Sequence, residues 1–225
     1  MPSTEFVRIP DGLIVQGDLI VVGAFSIPAG AVRNATVASD AEIARTKLAL
    51  DSLRSFPIEL TRLRVWDAIT SLLPSAAAAD DLALIGGTFG GASPSVRTSD
   101  AKDTSITQRA RLLVHLPESF ETGGNLRLRL RAGMITTVAN GTATVDVEAY
   151  QSDKEGGVGS DLVATDATTI NSLDFANIDF VISAGALSAG AWLDIRITIA
   201  ITDASTATAV IGALGSIELL ADIRG

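Results

Sequence analysis

The sequence predicts an all-β protein: an antiparallel, jelly-roll-like β-sandwich preceded by an N-terminal β-arm and a short helical linker. Three observations predict it. Apolar residues take alternate positions over long runs, most plainly in LRLRLR (126–131) and WLDIRITIAIT (192–202), the period of a half-buried strand. Turn-forming clusters such as PESFETGG, ANG, SDKEGGVGSD and SAGALSAGA separate these runs. Charged residues make up only 19% of the chain and aromatic residues 4%, so the core must be aliphatic and β-branched.

The chain divides into three parts. Residues 1–30 read as the β-arm, because FVRIPDGLIVQGDLIVVGAFSIP breaks into short β-branched runs at PDG, QGD and VVG. These runs are too few to close a core, so Ile14, Leu19 and Val21 are candidate assembly contacts. Residues 31–80 read as a linker. Ser39-Asp40-Ala41-Glu42 fits a capping box and starts a helix over about 40–55. Phe56 precedes Pro57 and is pushed out of the helical region, which ends it. Ile43, Leu48, Leu50 and Leu53 do not fall on one stripe, and a helix apolar on several sides is buried on several sides. These four join the assembly contacts. PIELTRLRVW then reads as extended, WDAITSLL as a helical turn closed by Pro74, and SAAAADD as a connector.

Residues 81–225 read as the sandwich. Strands are expected near Leu82–Phe89, Ser105–Leu116, Asn125–Met134, Thr142–Gln151, Ile178–Ser183, Ala191–Thr202 and Gly215–Ile223. Seven or eight short strands with regular turn signals are the pattern of a sandwich or jelly roll.

Composition narrows the function. A net charge of −9 and a pI near 4.5 argue against a general nucleic-acid binder, whose surface must replace phosphate counterions with Lys and Arg. The chain has no Cys, which removes thiolate metal sites, disulfides and Cys nucleophiles together. The start MPSTEFVRIPDG lacks the basic-then-apolar pattern of a signal peptide. No run approaches the length of apolar sequence that spans a bilayer, so no membrane partner is expected.

Catalytic patterns are weak. The single histidine, His115, sits opposite the apolar face made by Ala110, Leu112, Val114 and Leu116, a surface position, and no G-x-S-x-G elbow accompanies it. GGTFGG (86–91) lacks the lysine of a phosphate loop and opens no helix. Asp153, Glu155 and Asp161 gather carboxylates in one loop without the spacing of an EF-hand, so no metal or cofactor is assigned. Polysaccharide cleavage would need a carboxylate pair across a groove, and aromatic platforms for sugars are limited to Trp66, Tyr150 and Trp192. The N-x-T sequences at Asn34 and Asn140 are read as chance and as turn chemistry.

The arginines are more informative. Arg109 and Arg111 share one face of their strand, and Arg127, Arg129 and Arg131 share one face of the next. If those strands are hairpin neighbours, five cations line a single face. That face reads either as a solvated exterior or as a docking surface for an acidic partner or a neighbouring subunit.

Several phrases resemble virion structural proteins of tailed bacteriophages. They are GLIVQGDLIVVGAFSIPAGAV, ATVASDAEIARTKL, LRVWDA, DDLALIGGTFG, TATVDVEAYQSDKEGGVGSDLVATDATTINSL, and LSAGAWLDIRITIAITD with the C-terminal TATAVIGALGSIELLADIRG. Together they cover most of the chain. The resemblance implies a non-enzymatic capsid decoration (cement) or head-fibre protein, commonly a homotrimer of jelly rolls. Its partners would be itself and the major capsid protein or another virion protein, on the capsid surface after assembly in the host cytoplasm. It implies no catalytic residues. A tail-fibre or baseplate module that binds a receptor or carbohydrate is the alternative.

Overall fold

Why the predicted alternation closes into one core is visible in the pairing of the long strands. A computed structural model describes residues 53–152 and 159–224. The predicted β-arm, most of the predicted helix, and Ile14, Leu19, Val21, Ile43, Leu48 and Leu50 lie outside the described residues.

Among the described residues ten strands form two antiparallel sheets. They are β1 (Leu53–Ile58), β2 (Ala83–Ile85), β3 (Ser95–Arg97), β4 (Ser105–His115), β5 (Leu126–Met134), β6 (Thr142–Ser152), β7 (Thr168–Thr169), β8 (Ala176–Val181), β9 (Trp192–Thr202) and β10 (Gly212–Asp222). One sheet runs β2-β3-β10-β5-β8, with β1 also paired to β10; the other runs β4-β9-β6-β7. From β3 to β7 the chain changes sheet at each step but the last, and it does so again from β7 to β10. The order β3-β10-β5-β8 over β4-β9-β6-β7 is that of a jelly roll.

Alternation sets which side each residue faces. On β9, Leu193, Ile195, Ile197, Ile199 and Ile201 are buried while Asp194, Arg196 and Thr198 are half-buried on the outer face. On β6, Ala143, Val145, Val147 and Ala149 point inward, and on β4 Ala110, Leu112 and Val114 do the same. The opposing layer comes from Leu126, Leu128 and Leu130 of β5, Ile217 and Leu219 of β10, and Phe180 of β8. Within this sheet small residues of β4 and β6 sit beside branched ones of β9, with Ala110 opposite Ile197, Ala143 opposite Ile201 and Ala149 opposite Ile195.

Three expectations are corrected here: the end of the helix, the boundary of the sandwich and the turn at WDAITSLL. The predicted helix does not extend to Ser55: Leu53–Ile58 is a strand paired in register with β10, from Leu53 opposite Asp222 to Ile58 opposite Ile217. The sandwich therefore includes Leu53–Ile58, ahead of the expected boundary at Asp81. The physical reason is that β3 covers β10 only at Ala213 and Leu214, leaving the rest of that edge to accept another strand. Pro57 is tolerated because β1 is itself an edge. Phe56 and Ile58 pack against the core. Leu53, expected as an inter-subunit contact, is half-buried in this strand. WDAITSLL forms no helix; the only helical turn among the described residues is a 3-10 turn at Leu60–Arg62.

One end of the sandwich is tied by a single carboxylate. Asp203, which is buried, accepts hydrogen bonds from the amides of Asp103 at 3.0 Å, Asn140 at 2.7 Å and Thr206 at 3.1 Å, and from Thr206 Oγ1 at 2.8 Å. These donors come from the loops before β4, before β6 and after β9. Burial pushes the Asp203 carboxyl up, but the four donors outweigh it and hold it below its ordinary value. Asp103 sits at a φ of 55°, a left-handed conformation that aspartate tolerates better than most residues.

Replacing Ile197 with Ala, at the centre of the core, is expected to cost about 2–5 kcal/mol, read as a lower urea midpoint with an unchanged slope. Asp203 contributes stability above the unfolded carboxylate's range, and loses it as pH falls through the depressed folded value. Asp203→Asn is therefore expected to lower the melting temperature most near neutral pH and least in strong acid. Equal losses at both would contradict the linkage.

Candidate functional site

The outer face of the β4-β9-β6 sheet carries a layer of charge that the register assembles row by row. Arg111, Arg196 and Glu148 lie opposite one another across the three strands; the next row is Leu113, Asp194 and Tyr150, and on the other side lie Arg109, Thr198 and Asp146. Each cation meets a carboxylate. Arg196 pairs with Glu148 directly across the strands. Arg111 forks onto Asp194, with Nε donating to Oδ1 at 2.7 Å and a terminal nitrogen to Oδ2. The hydrogen bond to Asp194 raises the Arg111 pKa further above its already high value. Tyr150 donates from its hydroxyl to Glu148 Oε1 at 3.3 Å.

The segment between β1 and β2 lays an indole over this layer. The free edge of β4 is covered by bridges at Arg64–Arg111 and Asp81–Arg109. Arg64 exchanges two backbone hydrogen bonds with Arg111, at 2.8 and 3.0 Å, and the amide of Leu82 donates to the Arg109 carbonyl at 3.0 Å. Leu63, Leu73 and Leu82 are buried and anchor the segment from below. Trp66, two residues after the first bridge, then lies within reach of two strands: the guanidinium carbons of Arg109 and Arg196 are 5.3 and 5.8 Å from its ring centroid. Those are cation–π distances. Its Nε1 donates to Asp80 Oδ2 at 2.8 Å, which fixes the ring in the plane.

The result is a cleft of about 210 Å³ lined by Trp66, Arg111, Glu148, Tyr150, Asp194 and Arg196. Three groups in and near this layer titrate above their ordinary values. Burial raises the Asp81 pKa, helped by the neighbouring charges of Asp80 and Asp67. Burial likewise raises Asp146, with Glu148 and Asp161 adding to it against the amide of Val147 and the charge of Arg196. Burial and the same two carboxylates raise Tyr150. Asp81 Oδ1 and Arg109 Nε are buried without a hydrogen-bond partner.

The five arginines expected on one face are divided between two. β4 pairs with β9 and β5 with β10 and β8, so β4 and β5 are not neighbours but belong to opposite sheets. Arg109 and Arg111 lie on the face just described. Arg127 and Arg129 lie on the outer face of the other sheet, where Asp179 takes both: two bonds from Arg129, at 2.7 and 2.9 Å, and a 3.5 Å contact from Arg127. The hydrogen bond from Arg129 holds the Asp179 carboxyl below its ordinary value despite partial burial. Arg131, the fifth, makes no ion pair among the described residues.

The remaining sequence candidates are placed as follows. His115 is exposed at the end of β4, its ring centroid 4.9 Å from that of Trp192 and tilted against it, and lies 3.8 Å from Glu118, a surface position as expected. Of the loop carboxylates, Asp161 is described; its Oδ1 accepts from the amides of Ala149 and Val163, each at 3.0 Å. Among the described residues no group of three or more His, Cys, Asp or Glu is arranged to hold a metal. Trp66, Glu148, Tyr150, Asp194 and Arg196 were not singled out together from sequence. Alternation put the last four on outward faces, but only the pairing of β6 with β9 brings them into one cleft.

No family model matches the chain, and no curated protein matches it. Solved structures of similar fold include the CBM22-2 xylan-binding domain from Paenibacillus barcinonensis Xyn10C, at 14% identity and a TM-score of 0.40, covering 72% of this chain and 93% of that one. Another is TmCBM61 in complex with β-1,4-galactotriose, at 12% identity and a TM-score of 0.35, covering 76% and 89%. A third is Arthrobacter globiformis T6 isomalto-dextranase complexed with panose, at 18% identity and a TM-score of 0.37, covering 75% of this chain and 23% of that one. These likenesses assign neither a family nor a ligand to this chain.

Because the folded state holds the Asp146 proton more tightly than the unfolded chain, stability falls as pH climbs from the ordinary carboxylate range through the raised value. Asp146→Asn is expected to raise the melting temperature near neutral pH and leave it unchanged in acid. A loss at neutral pH would contradict the assignment.

Proposed function

We propose that the chain is a non-enzymatic recognition module that binds carbohydrate through the Trp66 cleft, carried on a virion fibre or baseplate. The cleft carries the reading: an indole held over a rigid layer of arginine donors and carboxylate acceptors. A sugar offers apolar C–H faces for stacking and hydroxyls that both give and accept hydrogen bonds. Side chains already ordered by β-strands and by one another lose little entropy on meeting such a ligand.

The same geometry supports binding over cleavage. Hydrolysis of a glycosidic bond requires one carboxyl to hold a proton and another to be free as base or nucleophile. Glu148 and Asp194, the carboxylates of the cleft, are each engaged by an arginine.

A second reading, capsid decoration as a homotrimer, is favoured by the resemblance to phage virion proteins and by the apolar runs in GLIVQGDLIVVGAF, which contain few charges. A protein that binds only the assembled lattice stabilises it by mass action, strengthened by the avidity of a trimer.

Calorimetric titration of the full chain against a panel of neutral oligosaccharides separates these. The expected result is saturable binding to at least one, weakened about tenfold or more, some 1.4 kcal/mol, by Trp66→Ala with the melting profile preserved. A chain that binds none of them, yet co-sediments with capsids and raises their melting temperature, would replace the first reading with the second.

A further inference from the structure

Five arginines on the two sheets meet carboxylates: Arg109, Arg111, Arg127, Arg129 and Arg196. Arg54, at the exposed β1 edge, Arg97 and Arg131 do not, and the last two line the same groove. It lies on the sheet opposite the Trp66 cleft, with a volume of about 360 Å³, and is bordered by Arg97, Arg131, Phe175, Ser95 and Ser216. No carboxylate lines it. In a chain of net charge −9, this groove holds two cations and no acid.

The groove is shaped by a β-bulge. β10 opposes Arg97 through Ala213 on one side and Arg131 through Ser216 on the other, and the register slips between Leu214 and Ser216. The extra residue, Gly215, kinks the strand there. Phe175 rests on this kink and on Gly133: a Cβ at Gly133 would come within 2.6 Å of the ring, and one at Gly215 within 3.5 Å. Glycine at 133 therefore allows the phenyl ring to lie against the strand as one wall. Arg97 is steadied by donating from Nε to Ser95 Oγ at 2.6 Å, and its terminal nitrogens have no partner among the described residues.

We propose that this groove binds the carboxylate of an acidic sugar, of the uronic-acid type. Two guanidinium groups offer paired donors that match the planar carboxylate. Phe175 supplies an apolar wall for the ring's C–H face, and Ser95 and Ser216 supply hydroxyls for the remaining oxygens. The volume suits a small ligand at the lower end of the range for such pockets. The proposal rests on the recognition reading only in taking the ligand to be a saccharide; it concerns a separate site with its own residues.

The test is titration of the full chain with trigalacturonate and with its fully methyl-esterified form, which keeps the shape and loses the charge. At low salt the acid is expected to bind at least tenfold more tightly than the ester, with the difference shrinking as ionic strength rises. Arg97→Gln and Arg131→Gln are each expected to weaken the acid about five- to tenfold and leave the ester unchanged. Arg131→Lys, which keeps the charge and loses the fork, should recover only part of the affinity. Gly133→Ala, by displacing Phe175, should weaken both ligands, whereas Trp66→Ala should affect neither.

Equal binding of acid and ester overturns the proposal. So does an Arg97/Arg131 double variant that keeps native circular dichroism and parental affinity, and so does a polyglutamate peptide that competes as well as trigalacturonate. Loss of trigalacturonate binding in Trp66→Ala alone would move the acidic sugar to the cleft. Neutral oligosaccharides that fail while trigalacturonate binds through Arg97 and Arg131 would sink the cleft reading and leave this one standing.

Discussion

The register of β9 is the constraint on which the rest depends. It is paired along its whole length on both sides, with β4 and with β6, and its inward residues are four isoleucines and a leucine. A slip of one residue would carry Asp194 and Arg196 into the space that Ile195 and Ile197 fill, and expose the isoleucines to water. Burying those charges would cost far more than any outer contact returns. The hydrophobic core thus positions the polar cleft: the pattern that excludes water on one face holds Arg196 opposite Glu148 on the other.

The two outer faces use their charges differently. On the β4-β9-β6 face each arginine is matched, and the layer is stiffened further by the indole of Trp66 lying over Arg109 and Arg196. That order has a cost, visible in the raised pKa values of Asp81, Asp146 and Tyr150. Burial is the first cause in all three. On the other face, Asp179 absorbs Arg127 and Arg129, but the bulge at Gly215 and the wall of Phe175 leave Arg131 beside Arg97 with no acid between them. One face is a closed network of matched charges, and the other keeps an open pair of cations.

Loops hold these faces in relation through a few buried polar groups. Asp203 gathers three loops at one end of the sandwich. Gln108, buried on the inner side of β4, accepts from the Ser99 amide at 2.7 Å and donates to the Ala79 carbonyl at 3.1 Å. Ala79 precedes the Asp80 that fixes Trp66, so an interior glutamine helps set the position of the indole. Polar groups in such places are satisfied and directional, where aliphatic packing alone would leave the loops loosely specified.

By itself the sequence determined the fold class, six of the seven longest strands with boundaries close to those observed, and the alternation of inward and outward residues on β4, β5 and β9. It could do so because a period of two is a local property, written within each strand. Only the tertiary structure decided which strands are neighbours. Hydrogen bonding between backbones carries no side-chain label, so nothing in the text of β4 and β5 says that Arg109 and Arg127 belong to opposite sheets. For the same reason Leu53–Ile58 read as a helix end: its strand character comes from an open edge of β10 more than 150 residues away in the chain. Trp66 lay in a segment without periodicity, and its place over Arg109 and Arg196 follows from bridges to the edge of β4 that no local pattern announces.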